Sequence, residues 1–370
     1  MIFEIGIAIF SVQFIVAVLL QFGKLMTKKP IQKSAKKTKI TILIPFHNEV
    51  KRMLPLINSL NENPPGKNFE LIFIDDHSTD DTVNILMKKL KVPHQCVHNI
   101  LPKGKKFALR YGVSIAPHPN IITWDADIVV SAKYLETIAY LDFSDLVIMP
   151  VQMRSSKWIG KLASIEFSFL QSLGFGMAGF GYPILCYGAN LGFKKEAFLE
   201  MDKKRLDYDQ ASGDDLFLLK AMLKEKRKVT VYSHSALEVK TKAPAKFKKI
   251  IQQRQRWFSK MGPLFNVSSL SALILLVAVQ LMSLVSWIMF FINPLFLIPL
   301  GIKFLAEIIG SGKFVRQDVS HFFMLVLHQF WYPFYLIALC FRLPPEAKWM
   351  NPKGETEVYN ISDGKKRSEL

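Results

Sequence analysis

The chain has 370 residues, of which 50% are hydrophobic, 12% aromatic and 21% charged, with a mean hydropathy of +0.20. That is too apolar for intrinsic disorder and too charged for a chain lying in a membrane from end to end, so a soluble domain with its own core is expected beside apolar spans. The formal charge of +18 suits anionic lipid, a phosphate-bearing substrate or nucleic acid, while three scattered cysteines (Cys96, Cys186, Cys340) give neither a disulfide framework nor zinc spacing.

Ile5 to Phe22 is almost wholly apolar, with Gln13 and Gln21 its strongly polar members, and is just long enough for a span. A cleaved signal peptide is the rival reading. It would need a basic start and a small-residue cleavage site, whereas the chain opens Met-Ile-Phe-Glu and carries seven lysines from Lys24 to Lys39 with no acid among them. Residues 1–23 are therefore read as a transmembrane anchor and 24–39 as a basic juxtamembrane linker, either solvated or touching anionic headgroups. Basic flanks belong in the cytoplasm, which places the N-terminus outside and the bulk of the chain inside.

From residue 40 the pattern changes. Ile40 to Ile44, Leu71 to Ile74, Ile121 to Trp124 and Leu146 to Met149 are short apolar runs ended by Pro45, Asp75-Asp76, Asp125-Ala126-Asp127 and Pro150. They read as buried parallel strands, with helices expected over about Val50–Leu60, Thr79–Leu90 and Lys105–Ser114. Such alternation predicts an α/β sheet with right-handed crossovers and ligands beyond the carboxyl ends of the strands, where the Asp clusters fall. Asp75 to Asp80 is either a solvated turn, with Ser78 or Thr79 capping the next helix, or part of a site. Asp125 and Asp127, one residue apart, can share a hard cation that carries phosphate oxygens, for which Mg²⁺ or Mn²⁺ is suited.

Trp158, Leu162, Ile165 and Phe169 stand at helical spacing, and Gly174, Gly176, Gly179 and Gly181 follow among aromatics; core packing and a membrane-facing acceptor entrance are both open. Asp214-Asp215 opens another helix, as dipole-favoured acids or as a carboxylate base. Pro244 to Met261 reads as a basic amphipathic helix at an interface. Val267 to Ile309 is long enough for two spans broken at Asn293-Pro294, although Lys303 and Glu307 also allow a re-entrant or interfacial piece. His321 to Phe341 can span once more. The expected divisions are 40–150 and 151–243 for the two halves of the soluble domain, 244–262 for the interfacial helix, 263–342 for two or three spans and 343–370 for a polar tail.

Five motifs in order, Pro45-Phe46-His47-Asn48-Glu49, Ile74 to Asp80, Asp125-Ala126-Asp127, Gly213-Asp214-Asp215 and Gln253-Arg254-Gln255-Arg256-Trp257, resemble those of family 2 inverting glycosyltransferases. Among these the chain looks most like the membrane-bound branch of cellulose, chitin and hyaluronan synthases and ceramide glucosyltransferase, over roughly residues 40–262. The resemblance implies a GT-A fold, a Rossmann-like, mostly parallel sheet in a cytoplasmic domain flanked by transmembrane helices in the plasma (inner) membrane. It implies a hexosyltransferase that takes a nucleotide-diphosphate sugar, UDP-sugar favoured, with Mg²⁺ or Mn²⁺. By position, Asp215 matches the general base and Asp127 the metal ligand. Pro45, Glu49, Asp76, Lys105, Asp125, Gln253 and Arg256 fall in the donor-binding set, and Trp257, Asp214 and Cys186 on the acceptor side. Asp214 stands where the family more often has Glu.

The chemistry is coherent on its own: a divalent metal and Arg256 can neutralise the leaving diphosphate, and a carboxylate can take the acceptor's proton. A non-catalytic scaffold is disfavoured by the intact acidic set. A nucleic-acid binder is disfavoured because the positive charge gathers beside the spans and no nucleic-acid-binding motif is visible. Three or four spans are few for a secretion channel, so the acceptor is expected to be a lipid or lipid-linked hydroxyl, with a polysaccharide synthase or its subunit as the alternative. The oligomeric state is not legible.

Overall fold

The computed structural model describes residues 1–29, 37–204, 214–259, 267–311 and 319–340. In chain order the elements are α1 (Ile2–Met26), β1 (Ile40–Phe46), α2 (Leu54–Glu62), β2 (Phe69–Asp75), α3 (Thr82–Lys89), β3 (Gln95–His98), α4 (Lys105–Ile115), β4 (Asn120–Trp124), β5 (Ile128–Val129) and α5 (Ala132–Ile138). Then come β6 (Leu146–Ile148), β7 (Val151–Arg154), α6 (Trp158–Gly179), β8 (Asn190–Lys194), α7 (Lys195–Lys204), α8 (Asp214–Lys224), β9 (Val229–Val231), β10 (Val239–Lys242), α9 (Phe247–Ser259), α10 (Val267–Phe290), α11 (Leu297–Ser311) and α12 (Val319–Cys340).

Seven strands form one sheet in the order β3-β2-β1-β4-β8-β6-β9. All its pairings are parallel except those of β8, which runs antiparallel to β4 and β6. This is the expected α/β, GT-A-like sheet, mostly parallel with one reversed strand. Every residue of β1 is buried, because its two faces serve two cores. Ile40, Ile42 and Ile44 pack with Phe73 and Trp124, while Leu43 packs with Ile72, Ile74 and Phe193 on the other side. A second sheet, β5-β10-β7, holds the chain just after Asp127, with Ile128 opposite Thr241.

The helices begin where local chemistry allows. Pro55 sits in the first turn of α2, so that helix starts at Leu54 rather than near Val50. Neither Ser78 nor Thr79 caps α3; both partner Asn48 instead, and Thr82 N–H bonds Asp80 Oδ1 at 3.1 Å. The expected break between the apolar runs is present: Asn293 Oδ1 accepts from Leu295 N–H at 3.1 Å, just before Pro294.

Among the described residues, Ile2–Met26 and Pro294–Ser311 are long and apolar enough to cross a bilayer, and Leu276–Phe290 is a shorter apolar stretch. The charges of α11 are internal. Lys303 Nζ donates to Glu307 Oε1 at 2.6 Å and to Gln329 Oε1 of α12, and Gln329 Nε2 returns to Glu307 Oε2 at 2.6 Å.

α6 is the seam between the sheet domain and these helices. A Cβ on Gly179 would stand 1.7 Å from the carbonyl oxygen of Gly23, and one on Gly176 would stand 2.7 Å from the Leu20 backbone, so α1 and α6 touch backbone to backbone. Tight contact of this kind needs residues without side chains. Gly179→Ala is therefore expected to cost about 1–3 kcal/mol, as overpacking does. Gly301→Ala, where a Cβ meets nothing within 4 Å, should change stability by less than about 0.5 kcal/mol. Thermal unfolding of the two variants in detergent checks the contrast; equal melting temperatures would remove the close contact.

Candidate active site

The site lies at the carboxyl ends of β1, β2 and β4, where strand order reverses beside β1. Asn48, at φ 53°, is its first organiser. Its side-chain oxygen accepts from Thr79 N–H at 2.8 Å and its own N–H donates to Ser78 Oγ at 3.1 Å, joining the loops after β1 and β2. Pro45 lies buried in β1 opposite Ile74. Glu49 is half-buried; its carboxylate meets Arg52, and burial pushes it up to about 7 against the pull of that guanidinium.

Asp76 is buried and both of its carboxylate oxygens are engaged. Oδ1 accepts from Asn99 Nδ2 and Oδ2 from Gly104 N–H, both at 2.8 Å. Gly104 holds φ 145° and begins α4, so this carboxylate sets where Lys105 starts. Lys105 Nζ in turn pairs with Asp125. Asp75, next door, accepts from Ser78 N–H at 3.0 Å and meets His98 Nδ1 at 2.8 Å.

Asp125 and Asp127 are half-buried between β4 and β5. Burial and the neighbouring Asp125 carboxylate push Asp127 up. Burial acts on Asp125 too, but Lys105, with Arg256 and Arg52, more than offsets it and holds that carboxyl below its ordinary range. Thr241 Oγ1 lies 3.4 Å from Asp127 Oδ1. Arg256 comes from α9, is exposed, and has Asp125, Asp127, Asp215 and Arg52 as its charged neighbours.

Asp215 opens α8. Its Oδ2 accepts from Gly188 N–H at 3.0 Å and its Oδ1 from Leu216 N–H at 2.9 Å, so it is more than a helix-start acid: it also holds the segment before β8. Tyr187 in that segment is half-buried between Phe167 and Phe175, with ring centroids 5.6 and 5.9 Å away, and its buried hydroxyl has no hydrogen-bond partner among the described residues. Phe167 also meets Trp257 at 5.8 Å. Tyr187, Phe167 and Trp257 thus form an aromatic wall that links Asp215 to α9. Cys186 is buried in the core beneath it, 5% exposed. Gln253 Oε1 accepts from Arg254 Nη1 at 2.7 Å. Asp214 is described by backbone alone, and Gly213, Lys260 and Met261 lie outside the described residues.

The fold thus brings Glu49, Lys105, Asp125, Asp127, Asp215 and Arg256 into one electrostatic neighbourhood, with Trp257 on the adjoining aromatic wall, while Pro45 and Cys186 are buried and Asp76 supports the turn before α4. Sequence reasoning passed over Arg52, Asn99 and Glu166. Arg52 carried a usable signal, three residues after Glu49 on the same chain segment; the other two become visible only through tertiary contacts. Asp76→Ala should lower stability by about 2–3 kcal/mol, because two donors lose a buried carboxylate, and should loosen the turn before Lys105. Thermal unfolding with limited proteolysis around residues 99–104 checks this; an unchanged melting temperature and cleavage pattern would contradict it.

The sequence profile described as glycosyl transferase family 2 matches residues 41–198, and that of glycosyl transferase family group 2 matches residues 120–344. Among solved structures, the chain is similar to the mannosyltransferase PcManGT from Pyrobaculum calidifontis in complex with GDP-Man and Mn²⁺, at 15% identity and a TM-score of 0.49 over 90% of this chain and 99% of the other. S. aureus TarS 1-349 aligns at 15% identity and TM-score 0.40 over 76% of this chain and 92% of the other. Glucosyl-3-phosphoglycerate synthase from Mycobacterium tuberculosis, in complex with Mn²⁺, UDP and glucosyl-3-phosphoglycerate, aligns at 15% identity and TM-score 0.39 over 61% and 78%. The second profile covers more than half of the chain, from the Asp125–Asp127 loop through the helices that follow α9, and this protein belongs to the family 2 glycosyltransferases.

Proposed function

We propose that the protein is a membrane-bound inverting glycosyltransferase that moves a sugar from a nucleotide-diphosphate sugar, UDP-sugar favoured, to a hydroxyl of a lipid or lipid-linked acceptor at the cytoplasmic face. The observation that carries the acceptor reading is the double use of α6. Its Phe167 belongs to the aromatic wall beside Asp215, and its glycines press on the apolar helix α1. An acceptor hydroxyl that reaches this wall from a bilayer travels along one helix.

The donor's diphosphate suits the cations Arg256 and Lys105, which face the acidic pair from α9 and α4. Asp125 and Asp127 fit a divalent cation: two half-buried carboxylates on one loop, with Asp127 pushed up by burial and then by Asp125, are relieved by a nearby positive charge. Asp127 would hold it, and a bound Mg²⁺ or Mn²⁺ would neutralise charge on the diphosphate oxygens. Asp215 takes the proton of the attacking hydroxyl. Gly188 N–H holds one of its oxygens in place while it does so, and Arg256 stabilises the departing nucleoside diphosphate. A single displacement inverts the anomeric carbon.

The deciding experiment incubates the detergent-purified protein with a panel of UDP- and GDP-sugars and a membrane lipid extract, and measures released nucleoside diphosphate and glycosylated lipid. Release that depends on lipid supports the reading; release that instead yields polymer in the absence of lipid would favour a polysaccharide synthase. Asp127→Ala should abolish transfer at any practical Mg²⁺ or Mn²⁺ concentration, and full turnover of the unaltered protein in EDTA would remove the metal. Asp215→Asn should lower kcat by about 10²–10⁴-fold while leaving nucleoside diphosphate affinity nearly unchanged. Arg256→Ala should weaken both binding and turnover. Calorimetry beside initial rates separates the two, and near-normal transfer by Asp215→Asn would return that residue to a purely structural part.

A further inference from the structure

Arg254 and Arg256 stand two positions apart on α9, so their side chains leave the helix about 200° apart. Arg256 is exposed and faces the acidic cleft, whereas Arg254 is 1% exposed and faces α6. One motif therefore presents two guanidinium groups to two different tasks.

All three nitrogens of the Arg254 fork are engaged. Nε and Nη2 both reach Glu166 Oε2 at 2.8 Å, Nη2 donates to the Ala163 carbonyl oxygen at 3.1 Å, and Nη1 donates to Gln253 Oε1 at 2.7 Å. Its Cζ atom lies over the Trp257 ring, 4.2 Å from the ring centre. Glu166 precedes Phe167, the centre of the aromatic wall, and the Tyr335 hydroxyl of α12 lies 3.5 Å from the same carboxylate oxygen. Three helices converge on a single ion pair.

A buried ion pair is a poor stabiliser, since desolvation offsets most of its attraction and apolar replacements are often neutral or better. What this pair does distinctively is orient its neighbours. By donating to the amide oxygen of Gln253, Arg254 draws that oxygen to itself and turns the NH₂ group, the end that can donate to an anion, the other way. Stacking on Trp257 sets the angle of the indole.

We infer that Arg254 is a positioning residue for sugar transfer: braced by Glu166 and Tyr335, it turns the amide of Gln253 and the ring of Trp257 towards donor and acceptor without touching either substrate. This rests on the proposed reading of the cleft, and its test contains a binding arm that does not need transfer to lipid.

Two variants are used. Arg254→Lys keeps the charge but loses the fork; Arg254→Met with Glu166→Gln removes both charges together and keeps the site filled if the first does not fold. With the nucleotide sugar that turns over in the panel, either variant should lower kcat about 100-fold, as a misplacement of about 1 Å can. In the Trp257→Ala background the further loss should be under about 3-fold, because residues acting as a unit are not additive. In the binding arm, UDP with Mn²⁺ is titrated by calorimetry, with GDP in its place if that is the nucleotide released. Arg254→Lys should weaken affinity about 5-fold in the otherwise unchanged chain and not at all once Gln253 is alanine. Losses that multiply in both cycles, or normal kcat and affinity with only a lowered melting temperature, would overturn the inference and leave Arg254 as an anchor. Nucleotide binding with no transfer to lipid would instead count against the lipid acceptor, while the Gln253 cycle still decides the part played by Arg254.

Discussion

The constraint on which the rest of the structure depends is the reversal of strand order beside β1. With β2 and β3 on one flank and β4 on the other, the loops after β1 and β2 diverge from the loop after β4, and a cleft opens at their carboxyl ends. Nothing about an acidic loop makes a site by itself. It becomes one here because backbone geometry delivers Glu49, Asp76 and the Asp125–Asp127 pair to the same rim, and because α4 and α9 bring Lys105 and Arg256 against them. Charge crowding then divides the carboxylates. Asp125, with a lysine in contact, stays below its ordinary range, while its neighbour Asp127 is pushed the other way.

Much of the rim is built of indirect supports. Asn48 joins two loops through its side chain, and Asp76 fixes Gly104 and thereby the first turn of α4. Both are polar, yet they brace the fold around them much as core side chains do. A sequence motif therefore mixes two kinds of residue, those that face a ligand and those that hold the facing ones still. The 253–257 motif repeats the pattern, with Arg256 outward and Arg254 inward.

The large features were legible in the amino-acid order because they rest on local physics. Short β-branched runs such as Ile40–Ile44, ended by Pro45, read as buried strands, and the alternation with helices implies the parallel sheet. The Asp clusters fell at strand ends, and Asn293-Pro294 marked the break between apolar helices. Where the reading drifted, a distant partner had intervened. β8 is short, contains Gly192 and is antiparallel, and its place between β4 and β6 is decided by pairing rather than by pattern. Ser78 and Thr79 had the right chemistry for a helix cap but are claimed by Asn48, some thirty positions earlier. Glu166 looks like an ordinary polar residue in an apolar helix until Arg254, 88 positions later, is laid against it.

The self-contained charges of α11 bear on how the chain is assembled. Lys303 and Glu307 are four residues apart on one helix, so their opposite charges meet on a single face before any other helix arrives. Burying such a pair costs less than burying two separate ions, because each charge is already neutralised by its neighbour. The amide of Gln329, carried by the last described helix, then completes a hydrogen-bonded ring with partners already in place. The seat of α12 against α11 is thus defined by polar complementarity as well as by shape, so a sideways or lengthwise shift of that helix would break the ring.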